Sequence, residues 1–348
     1  MFYFFRIIVY CLFITSCANI VMPTGGKKDI SPPRLLSSNP LNKTKNFNNK
    51  NIELYFDENI AENKWSENFN ISPLTENPIG YKIRKNTLIL ETKDDLKKNT
   101  TYCINLNNSI KDLNEGNILK ELRVSFSTGD NFDSLSIQGV VFDAFTLDPK
   151  ANVHVFLQDK SLNDSLCFKR RPKYATRTNS EGKFIISNLN DDDYKIFCID
   201  GLDYEYHDGD LLGFYSSTIN ANDSNNIELL IYDPKFKEEA LSDTIPADSL
   251  TQNETQIEIN CEFKEDIILQ LYSGKTMVKQ SIFNEPPYIL KNIKSQSYSL
   301  KIIIDENKNG NWDAGNYNEK RQPEKIYIYK EKIDVRDNWT FEIDCFID

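Results

Sequence analysis

Short stretches in which apolar and polar residues alternate, each closed off by Asn, Gly or Pro, recur from about residue 50 to the end of the chain. Ile52-Glu53-Leu54-Tyr55-Phe56 is the clearest, and a period of two puts Ile52, Leu54 and Phe56 on one face. Leu88 to Leu90, Tyr102 to Leu106 and Arg123 to Phe126 repeat the pattern. Such stretches are too short to build a helical face, so they predict strands. Strands joined by tight turns, without intervening helices, can bury their apolar faces only against another sheet. The expected fold class is therefore all-β, as tandem β-sandwiches, and not a βαβ arrangement.

A length of 348 residues implies two or three such units. Hydrophobic residues at 39% and aromatic residues at 12% suffice to fill several small cores. The net charge of −11 and a pI near 4.9 exclude a nucleic-acid partner, because phosphate binding needs clustered Lys and Arg. Composition divides the chain into an N-terminal leader over 1–16, a tether over 17–33, sandwiches over 34–130, 134–232 and 257–348, and a linker over 233–256. The tether is bracketed by Gly25-Gly26 and Pro32-Pro33, and the linker is acidic and carries Ser, Thr and Pro.

The leader has one positive charge at Arg6, an apolar run from Ile7 to Phe13, then Ile14-Thr15-Ser16-Cys17. This is a secretory signal, too short for a permanent membrane span. Small residues directly before Cys17 resemble a bacterial lipobox, which implies a thioether-linked lipid on Cys17 and a mature protein that starts there. An ordinary signal peptide is the competing reading. No acidic cluster follows Cys17. The resemblance then favours an outer-membrane lipoprotein on the periplasmic face over one at the cell surface.

Of the 7 cysteines, none has metal-site spacing. Cys103 and Cys198 lie in strand-like segments and read as buried small hydrophobes. Cys261 and Cys345 share the inward phase of their strands, which would let them pair in an oxidising compartment.

Two segments resemble known modules. Residues 31–130 hold SPPRLLSSNP, IELYFDENI, Leu96-x-x-Asn99-Thr100-x-Tyr102, IKDLNEGN and Phe126-Ser127-Thr128-Gly129, and resemble the SbsA-type bacterial Ig-like domain. The segment from Leu135 resembles the carboxypeptidase regulatory-like domain, a transthyretin-type sandwich without catalytic residues. Its markers are Gly139-Val140-Val141, Pro149, Val153-His154-Val155 and the turn Asn179-Ser180-Glu181-Gly182. An insertion over 161–174 lengthens one of its loops and carries the basic run Lys169 to Lys173. That run reads as a solvated loop or as a dock for an acidic partner. Strands ending in Ile199-Asp200 and Ile304-Asp305 both run into acidic or Asn-rich loops, so the second and third units read as a diverged repeat.

The sharpest local motif is Asp305, Asn307, Asn309, Gly310, Asn311 and Asp313. Oxygen-bearing side chains at the first, third, fifth and ninth positions, with Gly at the sixth, have the spacing that wraps calcium. Asn316 replaces the usual acid at the twelfth position. A turn that caps its own backbone is the alternative. Tyr204, Tyr206 and Trp312 are candidate stacking residues for a sugar or peptide, with strand packing as the competing role. The chain has 2 His, and phase places His154 toward solvent. No nucleophile elbow, zinc-helix or phosphate-loop pattern occurs, so the chain is not expected to be an enzyme. The function expected is a non-catalytic, lipid-anchored envelope protein acting as scaffold, adhesin or assembly component, with a protein partner in the envelope. The alternative is a carbohydrate- or peptide-binding lipoprotein of an outer-membrane uptake system.

Overall fold

The computed structural model describes residues 28–223, 226–236, 255–261 and 263–344. The signal peptide, Cys17, most of the tether, residues 237–254 of the linker and Cys345 lie outside them, and with Cys345 the proposed Cys261–Cys345 pair.

The first sandwich contains β1 (Leu35–Asn39), β2 (Asn51–Phe56), β3 (Ile60–Glu62), the short helix α1 (Trp65–Asn68), β4 (Asn70–Ser72), β5 (Gly80–Arg84), β6 (Thr87–Glu91), β7 (Thr101–Asn105), β8 (Ile110–Asp112) and β9 (Arg123–Ser127). One sheet has the order β1-β2-β6-β5, the facing sheet β4-β7-β9, and β3 pairs with β8. Alternation does the work expected of it: Ile52, Leu54 and Phe56 are buried with Leu88, Leu90, Ile104 and Phe126 in one core. The two motifs that carry the Ig-like resemblance meet in space. Thr100 N–H donates to Thr128 Oγ1 at 3.0 Å, and Lys97 N–H to Tyr102 Oη at 2.9 Å. Asn99 packs so closely on Gly129 that a β-carbon there would sit 2.6 Å from its side-chain oxygen. In IKDLNEGN, buried Asp112 accepts the N–H groups of Asn114, Glu115, Gly116 and Asn117. Burial pushes its carboxyl up, but these four donors outweigh it and hold it below the usual range.

The second sandwich comprises β10 (Leu135–Asp143), β11 (His154–Asp159), β12 (Tyr174–Arg177), β13 (Lys183–Leu189), β14 (Asp193–Asp200), β15 (Leu211–Phe214), β16 (Ile219–Asn220) and β17 (Asn226–Ile231). The third comprises β18 (Gln256–Asn260), β19 (Asp266–Ser273), β20 (Thr276–Phe283), β21 (Tyr288–Lys291), β22 (Ser297–Asp305), β23 (Ile326–Ile328), β24 (Ile333–Asp334) and β25 (Thr340–Asp344). They have one topology. The sheets β13-β10-β17 and β21-β18-β25 correspond, as do β12-β11-β14-β15 and β20-β19-β22-β23, with β16 on β14 matching β24 on β22. Even the parallel pairing of first and last strand, β10 with β17 and β18 with β25, recurs. The chain is thus all-β, built of tandem Ig-like sandwiches, and its last two units are one architecture used twice.

These two units are not independent beads. Val155, Leu157, Ile196 and Cys198 point into the second core, and Ile267, Leu269, Ile302 and Ile304 into the third. The opposite faces of the same strands carry Phe156, Phe197, Ile199, Ile268 and Ile303, and these form a fourth apolar cluster joining both units. Strands buried on both faces read as continuous apolar runs, which is why Ile267-Ile268-Leu269 and Ile302-Ile303-Ile304 break the alternation. The shared cluster seats the third unit directly against the second. Before residue 237 the chain packs down, with Phe236 against Phe145 and Trp312 at ring distances of 5.1 and 5.2 Å.

Ile303 is fully buried in that junction. Ile303→Ala is expected to cost about 2–5 kcal/mol and to split the joint unfolding of the second and third units into two transitions in scanning calorimetry. Two separate transitions already present in the parent chain would show that the junction does not couple them.

Candidate functional site

The Asp305–Asp313 loop leaves β22 at the edge of this junction. Asp305, buried, accepts from Asn309 N–H at 3.0 Å and from Gly310 N–H at 2.8 Å. Gly310 has φ +79°, which the turn requires and a side chain would strain. Asn307 and Asn309 both turn their amide nitrogens to Asp313 Oδ2, each at 2.5 Å. Asn311 N–H donates to Asn309 Oδ1 at 2.7 Å. Glu324, from the segment after the loop, accepts the N–H groups of Glu306 and Asp313, each at 2.9 Å, and burial pushes its carboxyl up. The motif thus folds as a self-capped turn, with oxygen donors of the type a hard cation takes. Among the described residues no group of three or more His, Cys, Asp or Glu is arranged to hold a metal.

Trp312 is the loop's anchor. It is 4% exposed, its Nε1 donates to Glu324 O at 2.9 Å, and its ring packs edge-on against Phe145 at 5.0 Å. The structure therefore places Trp312 inside the junction and not on a ligand-facing surface. Tyr206, in the corresponding loop after β14, is half-buried against the same cluster and donates its backbone N–H to Phe168 O at 3.1 Å. Tyr204 lines an open cleft against the first sandwich, and Tyr206 a separate one against the third unit.

That cleft lies between the first and second sandwiches and measures about 740 Å³. The first sandwich contributes α1 and β5: Trp65 stacks on Phe69 at 4.3 Å and on Tyr81 at 4.0 Å. The second contributes His154, Arg177 and Tyr204. A recess of about 170 Å³ shares His154, Arg177 and Tyr204 and is lined besides by Asn68, Asn105, Asn107, Asn108, Asn152 and Asn179. The cleft is held open by specific ties: Leu74 N–H donates to Lys173 O at 2.8 Å, and Asn70 Nδ2 to Ala175 O at 2.6 Å. Arg171 Nη1 donates to Glu76 O at 3.1 Å, so the basic run bridges the two sandwiches. Sequence reasoning found Tyr204 but not the three stacked rings or the asparagines. Trp65 and Phe69 fall in a one-turn helix with no periodic signal, and only the local density of Asn at 105, 107 and 108 hinted at a polar recess.

His154 departs from expectation. It is 6% exposed, packs edge-on against Tyr204 at 4.8 Å, and its Nε2 lies 2.7 Å from Arg177 Nη2. Its phase is opposite to Val153 and Val155, as read from sequence, but that face meets the cleft wall and not solvent. Burial, and then the Arg177 charge, lower its pKa to about 4. Cys103 and Cys198 are buried as expected, and burial pushes both thiols up.

Against known proteins, residues 29–128 match the family described as a bacterial Ig-like domain. No curated protein sequence matches the chain. Among solved structures, the N-terminal part of the bacterial S-layer protein SbsC is 12% identical with a TM-score of 0.22, over 58% of this chain and 44% of that one. The Bacillus anthracis TIE protein is 12% identical with a TM-score of 0.21, over 93% and 59%. BcpA, the major pilin subunit of Bacillus cereus, is 12% identical with a TM-score of 0.19, over 58% and 70%. The chain thus spans less than two thirds of the length of the first two. Likenesses this distant say nothing further about the chain.

His154 is neutral when folded and its folded pKa lies below its unfolded value of about 6.5, so it stabilises the fold only above that value. As pH falls from 6.5 to 4 the unfolded chain takes up the proton first, and stability should drop by the order of 3 kcal/mol. Urea unfolding at about pH 7 and pH 4.5 checks this, with His154→Gln expected to flatten the difference relative to the parent chain.

Proposed function

We propose that the chain is a non-catalytic, lipid-anchored protein of the bacterial cell envelope, in which Ig-like modules form a stiff scaffold that holds a binding face at a fixed distance from the membrane. The observation that carries this reading is the apolar junction between the second and third sandwiches. Modules that share a core hold their partners' positions, whereas beads on linkers do not. The bacterial Ig-like match over residues 29–128 is of a kind with that role.

In this reading Cys17 carries the lipid, the protein faces the periplasm from the outer membrane, and its partner is an envelope protein. The second module serves as a carboxypeptidase regulatory-like sandwich, an accessory fold. Among the described residues no helix is long and apolar enough to cross a membrane. The anchor would be the lipid, and several acyl chains hold firmly where one does not. Cys17→Ala is expected to move the protein from the membrane to the soluble fraction with its thermal unfolding unchanged. Retention of the substituted protein in the membrane would overturn the anchor. Crosslinking in isolated outer membranes, read by mass spectrometry, tests for the partner.

We also assign structural calcium to the loop, with Asp305, Asn307, Asn309 and Asp313 supplying side-chain oxygens and Asn311 its backbone carbonyl. Rotating the amides of Asn307 and Asn309, which now face Asp313, would bring their oxygens to the same point. With two carboxylates among these ligands, the affinity should fall in the ~10⁻⁴–10⁻³ M range of extracellular modules. Millimolar calcium should raise the melting temperature of the parent chain and not of Asp313→Asn. Equal response from both would leave the loop a self-capped turn.

A further inference from the structure

The cleft between the first and second sandwiches has hydrogen-bonding capacity that the protein itself does not use. An arginine can only donate, so the 2.7 Å approach of Arg177 Nη2 makes His154 Nε2 the acceptor and puts the ring proton on Nδ1. That buried Nδ1–H has no partner among the described residues. Neither does Asn107 Oδ1, a buried acceptor lining the adjoining recess. An unmatched buried donor and an unmatched buried acceptor are each costly, and native structures keep few of them. Among simple ligand groups, a hydroxyl answers both needs, since it gives one hydrogen bond and accepts others. Asn68, Asn152 and Asn179 around the recess already spend side-chain groups on internal hydrogen bonds, so the unmatched pair stands out against them.

The other end of the cleft is aromatic. Trp65 lies between Phe69 and Tyr81 in a three-ring stack with interplanar angles of 13° and 23°, and Tyr204 faces it from the second sandwich. Rings already fixed by one another lose little freedom when a ligand packs on them. The C–H faces of a pyranose are apolar while its rim is hydroxylated, which is the division this cleft makes. Charges around it nearly balance, with Arg171 and Arg177 against Glu67, Asp203 and Glu205. The volume falls in the ~300–1,000 Å³ range of small-molecule sites.

We propose that this cleft binds a neutral oligosaccharide, its rings packing on Tyr81 and Tyr204 and its hydroxyls meeting His154 Nδ1–H and Asn107 Oδ1. The proposal is independent of the lipid anchor, because every residue it uses belongs to the first two sandwiches. Of the three stacking candidates it keeps Tyr204 and adds Tyr81, which lines the same cleft.

The test is calorimetric titration of the detergent-solubilised full chain with cellohexaose, maltohexaose, xylohexaose and chitohexaose, and with an aromatic hexapeptide for comparison. Saturable binding of at least one of the sugars is expected, weakened about tenfold or more by Tyr204→Ala. Because Tyr204 also packs on Phe156, Asn107→Ala is the second variant; its side chain is only half-buried, and the same weakening is expected with the melting temperature retained. Three results would overturn the proposal: no binding of any of the sugars up to about 10 mM, sugar binding indifferent to both substitutions, or binding of the peptide alone.

Discussion

The apolar contact between the outer faces of the second and third sandwiches sets the position of nearly everything else. Phe156, Phe197 and Ile199 on one side meet Ile268, Ile303 and Ile326 on the other. Burying side chains of this size is worth about 1.5–3 kcal/mol each. The contact requires β11, β14, β19 and β22 to be apolar on both faces, which an isolated two-sheet sandwich does not. It also fixes where the loops after β14 and β22 can go. Both leave at the rim, and both send an aromatic side chain, Tyr206 or Trp312, back toward the joined faces.

The insertion over 161–174 depends on the same contact. Cys167 and Phe168 are buried in the shared cluster, and Tyr317 of the third unit donates its hydroxyl to Asp164 O at 3.0 Å. From there the loop runs to the first sandwich, where Lys173 O accepts from Leu74 N–H. A segment that reads as a surface elaboration thus touches all three units. Within its basic run, Arg171 ties the first sandwich to the second, while Lys169 and Arg170 are exposed.

What the sequence made legible follows from this. Strands of the first unit, with one face to the core, announced themselves by alternation, and the two Ig-like motifs stood out because their residues hydrogen-bond to one another. The repeat was visible in the Ile-Asp strand ends, Ile199-Asp200 and Ile304-Asp305, because those ends occupy equivalent places in one topology. His154 was misplaced for a physical reason. Strand phase says which residues share a face, but not whether the second face meets water or another unit. His154 looked solvent-facing because its neighbours Val153 and Val155 take the core, yet its own face is the wall of a cleft. The runs Ile267-Ile268-Leu269 and Ile302-Ile303-Ile304 did carry the missing signal, since only a strand covered on both sides affords such a sequence.

The seams also account for where an acidic chain places its cations. Lys301, deep in the third unit's outer face, donates to Phe145 O at 2.9 Å with its ammonium 3.4 Å from the Phe145 ring centre. Lys320 pairs with Asp164 at 3.0 Å while lying 3.8 Å from the Tyr317 ring centre. Arg177 meets His154, and Arg171 meets the Glu76 carbonyl. At partly desolvated seams a cation over an aromatic ring or against a carbonyl is worth more than the same charge in water. These contacts are directional, so they fix how the units sit once burial has brought them together. Apolar area supplies most of the joining energy between the second and third units, while at the other seam Arg171, Asn70 and Leu74 tie the first sandwich to the second beside the cleft.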